Sequence, residues 1–261
     1  MRFRCYRAIL LLSWREALTY RVDLIADLLS SAILLGIYYF LWQAVFEARP
    51  TIEGLDFTFM TSYIALARIV QGFVQTEPLE YEIAHRVEEG SISLDLLRPY
   101  NLQIYYYLKA YSQSLISALL ISVPILAFSL FALQLAAPEP LRCGIFLLSL
   151  HLGFAVNAGL SFLVGLAAFP LRNNEGVAQL KKFITTLLSG NLFPIVLLPS
   201  LIKDLNGLLP FRAIIDVPIG IYLGHLPPTL LVFQALWAVA LGLLGYLLFV
   251  RARRRLVVLG G

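Results

Sequence analysis

Apolar stretches about twenty residues long recur along this chain, and that recurrence limits what it can fold into more than any other feature. They fall at 24–46, 57–76, 104–133, 143–169 and 228–250, with a shorter one at 177–190. A helix needs roughly 20 mostly apolar residues to cross about 30 Å of hydrocarbon. Composition points the same way. The 261 residues are 59% hydrophobic and 14% charged, where a soluble domain averages about 45–50% and about 25%. Too few polar residues exist to cover the outside of a water-soluble fold. The expected fold class is all-α: a polytopic membrane protein with six transmembrane helices, forming one domain over 1–261. Cys5 and Cys143 are the only cysteines and should lie on opposite sides of the membrane, so no disulfide framework is expected.

The ends and one internal segment depart from this pattern. Over 3–20, Arg4, Arg7 and Arg15 line one helical stripe and Phe3, Tyr6, Leu10, Trp14 and Leu18 the other, with Leu11 intruding. That predicts an interfacial helix within 1–22 that is retained rather than cleaved. Segment 190–227 holds Pro194, Pro199, Pro210, Pro218 and Pro227 between short apolar pieces. Prolines this frequent break helices, and the pieces are too short to span. A re-entrant helical hairpin follows, of the kind tolerated only when buried in protein or lining a cavity. With both termini cytoplasmic, fifteen basic residues face inward, among them Arg2, Arg21, Arg86, Lys181, Lys182 and Arg251, against Arg49, Arg142, Lys203 and Arg212 outside. The positive-inside rule therefore fixes the expected orientation.

Little in the chain suggests chemistry. No Gly-Lys pair occurs, so no phosphate-binding P-loop is present, and His85, His151 and His225 are too scattered for a metal cluster. No nucleic-acid partner is expected. His151 and Asn157 share the fourth span on different faces and read as interhelical hydrogen-bonding residues. Arg68 is the exception, because an arginine near midspan costs about 2.5–3.5 kcal/mol or more on insertion scales. Two roles fit it: contact with an anionic cargo headgroup or gating pair, or a structural pair with Asp27 of the first span. The Gln71–Gly72 step one turn further along belongs to the same polar side of the pathway.

Segment 77–99 is the most polar stretch. Pro78 suits a first helical turn, and Glu77, Glu80 and Glu82 suit its positive end. Leu79, Ile83 and Val87 form an apolar stripe, and Gly90 suits the stop. A short amphipathic helix is expected on the cytoplasmic side. Six acids lie within 77–95 against the single base Arg86, a balance an anionic leaflet would repel, so a protein partner fits better than lipid.

In their order, these parts resemble the permease subunit of an ABC-2 type exporter, and more narrowly the small bacterial permeases that occur as two related subunits beside one ATPase. The motifs are the basic first helix, the loop from Arg86 to Pro99, the stretch Leu188-Ser-Gly-Asn-Leu-Phe-Pro194 followed by Pro199 and Pro210, and the terminal arginines before Gly261. The resemblance implies a coupling helix docked on an ATPase, carried here by Leu79, Glu80, Ile83, Arg86, Val87, Glu88, Glu89 and Gly90. It implies an outer gate at Gly190, Phe193, Pro194, Pro199 and Pro210. It also implies a second permease as partner, no cofactor on this chain, and ATP with Mg on the ATPase. A stand-alone secondary transporter, or less readily an intramembrane enzyme, is the alternative.

Overall fold

The computed structural model describes residues 21–96, 101–171 and 173–259. The expected basic helix at 3–20, with Cys5, lies outside the described residues, as do Arg98, Pro99 and Arg172. The described residues form helices joined by turns and loops, with one Ile52–Leu55 bridge in a connecting turn.

The first three helices are α1 (Arg21–Ala48), α2 (Phe57–Val74) and α3 (Glu77–Glu88). Asp56 starts α2 by accepting a 2.8 Å bond from the Phe59 amide, satisfying a donor that a helix N-terminus otherwise leaves free. A five-residue α4 (Ile92–Leu96) follows α3. The next span is continuous but built in two pieces, α5 (Leu102–Ser117) and α6 (Val123–Ala132), joined by a π-helical turn at Ala118–Ser122. The turn has a local cause in Pro124, which cannot donate to the preceding turn and would clash with a regular helix there. Ser122 fixes the bulge by donating to the Ile69 carbonyl of α2 at 2.7 Å.

Then come α7 (Pro140–Leu166), the single turn α8 (Ala168–Leu171), and α9 (Glu175–Leu188). Segment 190–227 forms two 3-10 turns and two short helices, α10 (Ser200–Leu208) and α11 (Asp216–Tyr222). The last helix, α12 (Leu230–Leu259), runs through the terminal arginines without a break.

Five of these segments are long and apolar enough to cross a membrane: Leu24–Ala48, Phe57–Glu88, Leu102–Ala132, Pro140–Leu171 and Leu230–Arg253. The sixth expected span, α9, has 14 residues and is about 21 Å long, short of the hydrocarbon thickness. Burial sorts the five. α2 and α7 are mostly enclosed by the rest of the chain, whereas few residues of α1 and α12 are fully buried and many of their large apolar side chains are exposed. Large exposed leucines and phenylalanines are costly in water but expected against lipid, so the chain is a multi-pass membrane protein.

α7 is the central post, packing against α12, α3, α11 and α2. Near its C-terminal end Gly165 lets Ile83 of α3 come close, since a Cβ at Gly165 would lie 2.9 Å from the Ile83 side chain. At its midpoint Gly153 sits against the Ile214 carbonyl, and nearer its N-terminal end Phe146 packs on Tyr222 of α11. The two specialised segments, α3 and 190–227, therefore occupy opposite ends of one bundle.

Candidate functional site

Polar side chains inside the bundle are not scattered. They form a seam that runs from α3, along one side of α9, to the segment 190–227.

At the α3 end the apolar stripe reads as expected in pattern but turns inward. Leu79, Ile83 and Ala84 are buried against α7, and Val87 is half-buried. Glu80 goes in with them at 1% exposure, which an ionised carboxylate tolerates only with a partner. Lys181 of α9 supplies it, with Nζ 3.1 Å from Glu80 Oε2. The ammonium also donates to Ser161 of α7 at 2.8 Å, and Ser161 shares a 2.8 Å hydrogen bond with Thr76. Asn174, just before α9, donates to the carbonyls of Glu80 and Val164 at 3.2 and 3.3 Å. Three helices thus meet on one buried ion pair. A second, shallower cluster holds the outer edge of α3: Glu82 accepts from Lys109 at 3.0 Å and Arg86 at 3.3 Å, and Arg86 reaches Asp95 at 2.8 Å.

The opposite face of α3 is bare. Pro78, Tyr81, His85, Glu88 and Glu89 are all exposed, and Gly90 ends the helix at φ +74°. Of the eight expected coupling residues, Leu79, Glu80 and Ile83 therefore touch only this chain. Arg86 and Val87 are intermediate, and Glu88, Glu89 and Gly90 face outward. Tyr81 and His85, which the apolar-stripe reading passed over, complete the exposed row.

Midway along the seam, Asn157 of α7 donates to the Val74 carbonyl at 2.7 Å, capping the end of α2. A small polar cavity follows, lined by Gln71, Asn157, Lys181, Thr185, Ser189 and Asn191 among others. Gly72, beside Gln71, faces away to meet Ser122. Arg68 lies just beyond. Its guanidinium donates to the Asn191 carbonyl at 3.0 Å and to the Asn191 side-chain oxygen, and stacks 5.8 Å from the Tyr38 ring. The expected structural pair with Asp27 is thus replaced by Asn191 and Tyr38, while Asp27 sits on an exposed turn of α1. Both bonds engage Nη2 of the guanidinium, with an amide oxygen and a carbonyl as acceptors and no second charge buried. His151 bonds Tyr111 of α5 at 3.0 Å and lies on an exposed face, away from the seam.

The seam closes under the last segment. Gly190 has φ +89°, and a Cβ there would run into Tyr63 Oη and lie 3.0 Å from Asp216. Tyr63 donates to the Gly190 carbonyl at 2.9 Å and to Asp216 at 3.3 Å, Arg212 pairs with Asp216 at 3.3 Å, and the Asp216 amide bonds the Ser189 carbonyl at 2.9 Å. Gln234 of α12 donates to the carbonyls of Ala213 and Ser149, at 2.7 and 3.1 Å, tying the segment to two spans. Pro194 and Pro210 are buried, Phe193 is half-buried and Pro199 is exposed. Each of these three prolines caps the start of a short helix or turn.

The larger recess, about 530 Å3 between α1 and α6, is lined by Leu28, Leu35, Tyr39, Ile125 and Phe128 and has nothing to orient a polar ligand. Among the described residues no group of three or more His, Cys, Asp or Glu could hold a metal.

The sequence matches the family described as ABC-2 family transporter protein over residues 32–260, from α1 to the chain end. This chain belongs to the ABC-2 transporter family. A comparison with curated proteins gives no match. As an ABC-2 protein the chain is a membrane component of ABC-type transport, and its buried seam is to be read as part of a permease rather than as a catalytic centre.

The residues that organise the ABC-2 seam were mostly invisible beforehand. Lys181 counted only as one inward-facing positive charge, Asn191 only as part of the Leu188–Pro194 stretch, and Tyr63, Ser161, Asn174, Asp216 and Gln234 carried no motif. A lysine on the same helix face as Ala178, Thr185 and Ser189 was the available signal.

Proposed function

We propose that this ABC-2 protein is the permease subunit of an ATP-driven exporter in a bacterial inner membrane. It works as one half of a permease dimer, with a related second permease, on separate ATPase subunits that bind ATP and Mg. Both termini and α3 face the cytoplasm. α9 is the sixth, short span, completed at the outer surface by the re-entrant segment 190–227. α3 is the coupling helix, and 190–217 acts as the outer gate.

The observation that carries this reading is the two-sidedness of α3. Its inner face is locked to α7 and α9 by Leu79, Ile83 and the Glu80–Lys181 pair. Its outer face presents Tyr81, His85, Glu88 and Glu89, whose side chains among the described residues make no ion pair or hydrogen bond except the surface His85–Glu89 contact. An element that receives force must be exposed on one side and rigidly joined to the moving spans on the other. α3 has both properties, and its acidic face suits a basic cleft on a partner.

The test is mild-detergent purification of the tagged chain from its native membrane with partners identified by mass spectrometry. An ATPase in near-equal amount supports the reading, and a second permease alongside it supports the heteromer. Recovery of the chain alone, under conditions where a known ABC complex survives, favours the self-contained secondary transporter.

A further inference from the structure

The small cavity between α9 and the wall formed by α2 and α7 has properties that packing alone does not explain. Three side-chain atoms around it have no hydrogen-bond partner: Asn157 Oδ1, Thr185 Oγ1 and Ser189 Oγ. Asn157 and Ser189 are 3% and 0% exposed. Nearly all buried polar atoms in proteins are satisfied, so three orphans around one space call for a ligand that donates and accepts. The space leaves about 20 Å3 for the centre of a water-sized molecule, above the roughly 10–15 Å3 that one water needs, and the polar neighbours number more than the two to four required.

The charge around the cavity decides what kind of ligand fits. Lys181 is engaged by Glu80 and Ser161. Lys182 and Glu77, also in the lining, are of opposite sign. The orphan atoms that are themselves buried are an amide oxygen and two hydroxyls, all neutral, whereas Lys182 is exposed. The wall facing α2 and α7 is fixed, but α9 packs chiefly against α7 and the Phe211–Ala213 turn and turns Leu180 and Phe183 outward. Displacing α9 is the motion that would widen the space.

We infer that the cleft between α9 and the α2/α7 wall is a binding site for a neutral, hydrogen-bonding group of the cargo, a hydroxyl or an amide, whose place water takes between transport events. Calling that group cargo rests on the transport reading; the hydration of the cleft does not.

Thiol accessibility tests it. In the purified complex in lipid nanodiscs, on a Cys5→Ser/Cys143→Ser background, Thr185→Cys and Ser189→Cys are compared with the outward Phe183→Cys. Gln71→Cys, on the opposite wall, keeps the test open if a substitution in α9 impairs folding. Rates are measured with neutral hydroxyethyl methanethiosulfonate and anionic sulfonatoethyl methanethiosulfonate, each relative to a free thiol. Cleft cysteines should react with the neutral reagent at least about tenfold faster than Phe183→Cys, and at least about tenfold faster than with the anionic one. Cleft cysteines as inert as Phe183→Cys would show a dry interface and overturn the inference. Equal or faster reaction with the anionic reagent would overturn the assignment to neutral groups. If no ATPase accompanies the chain but the cleft labels as expected, the ATP-driven reading fails and the site stands; the reverse outcome fails the site alone.

Discussion

Replacing Lys181 with methionine should damage this protein far more than its place on a short, half-exposed helix suggests. Glu80 is 1% exposed and the Lys181 side chain 7%, so the substitution leaves a carboxylate buried with its cation removed. Breaking a buried pair from one side costs about 3–5 kcal/mol. The hydrogen bond to Ser161 goes as well, for about 1 kcal/mol more. Replacing both partners, Glu80→Gln with Lys181→Met, removes the stranded charge and should recover most of the loss, since neutral substitutes for a buried pair are often as stable. For a chain of this size each kcal/mol moves the midpoint by about 2–4 °C, so a loss of about 4–6 kcal/mol lowers Tm by roughly 8–24 °C. The assay is thermal unfolding of the purified protein in detergent, followed by thiol exposure or by loss of monodispersity. The single variant should melt well below the native protein and the double variant close to it. A Lys181→Met protein that melts with the native one would show that the two groups do not interact in the buried state. A double variant no better than the single would assign the loss to packing rather than charge.

Gly190→Ala should destabilise by about 1–3 kcal/mol, because φ +89° is unfavourable for alanine and the new methyl meets Tyr63 and Asp216. Gly207→Ala, in open space within α10, should be neutral or stabilising by up to about 1 kcal/mol in the same melting assay. Arg68→Met should cost about 1.5–3 kcal/mol through the lost charged hydrogen bonds to Asn191, and limited proteolysis should then cut 190–227 faster. Reversing Glu88 and Glu89 to lysine should leave membrane insertion and Tm unchanged but lower ATPase recovery in co-purification, since both side chains are exposed.

Much of the architecture was legible because lipid imposes long, simple patterns. The apolar runs marked five long spans, and Pro78 marked a helix start. The proline spacing of 190–227 correctly indicated short helices instead of a span. What periodicity could not supply was direction. Leu79, Ile83 and Val87 define a stripe, but a stripe does not say whether it meets a partner or the chain's own α7. Here most of it meets α7, and the surface open to a partner is the complementary row of Tyr81, His85, Glu88 and Glu89.

Pairings across long separations were equally hidden. Glu80 and Lys181 lie in different helices, and nothing local distinguishes Glu80 from its exposed neighbours at 88 and 89. Arg68 stood out by cost, yet Asp27 looked like its natural partner only because opposite charges are easy to see in a sequence. An asparagine beside a glycine turn is not.

The central claim, that α3 is the surface through which an ATPase drives this ABC-2 permease, is tested most directly by site-specific photocrosslinking in native membranes. A benzophenone side chain placed at Tyr81, on the exposed row, should join the chain to an ATPase subunit, and one at Ile83, on the buried face, should crosslink only within the chain. Failure at Tyr81 to capture any ATPase, while that ATPase is present in the membrane, would contradict the account.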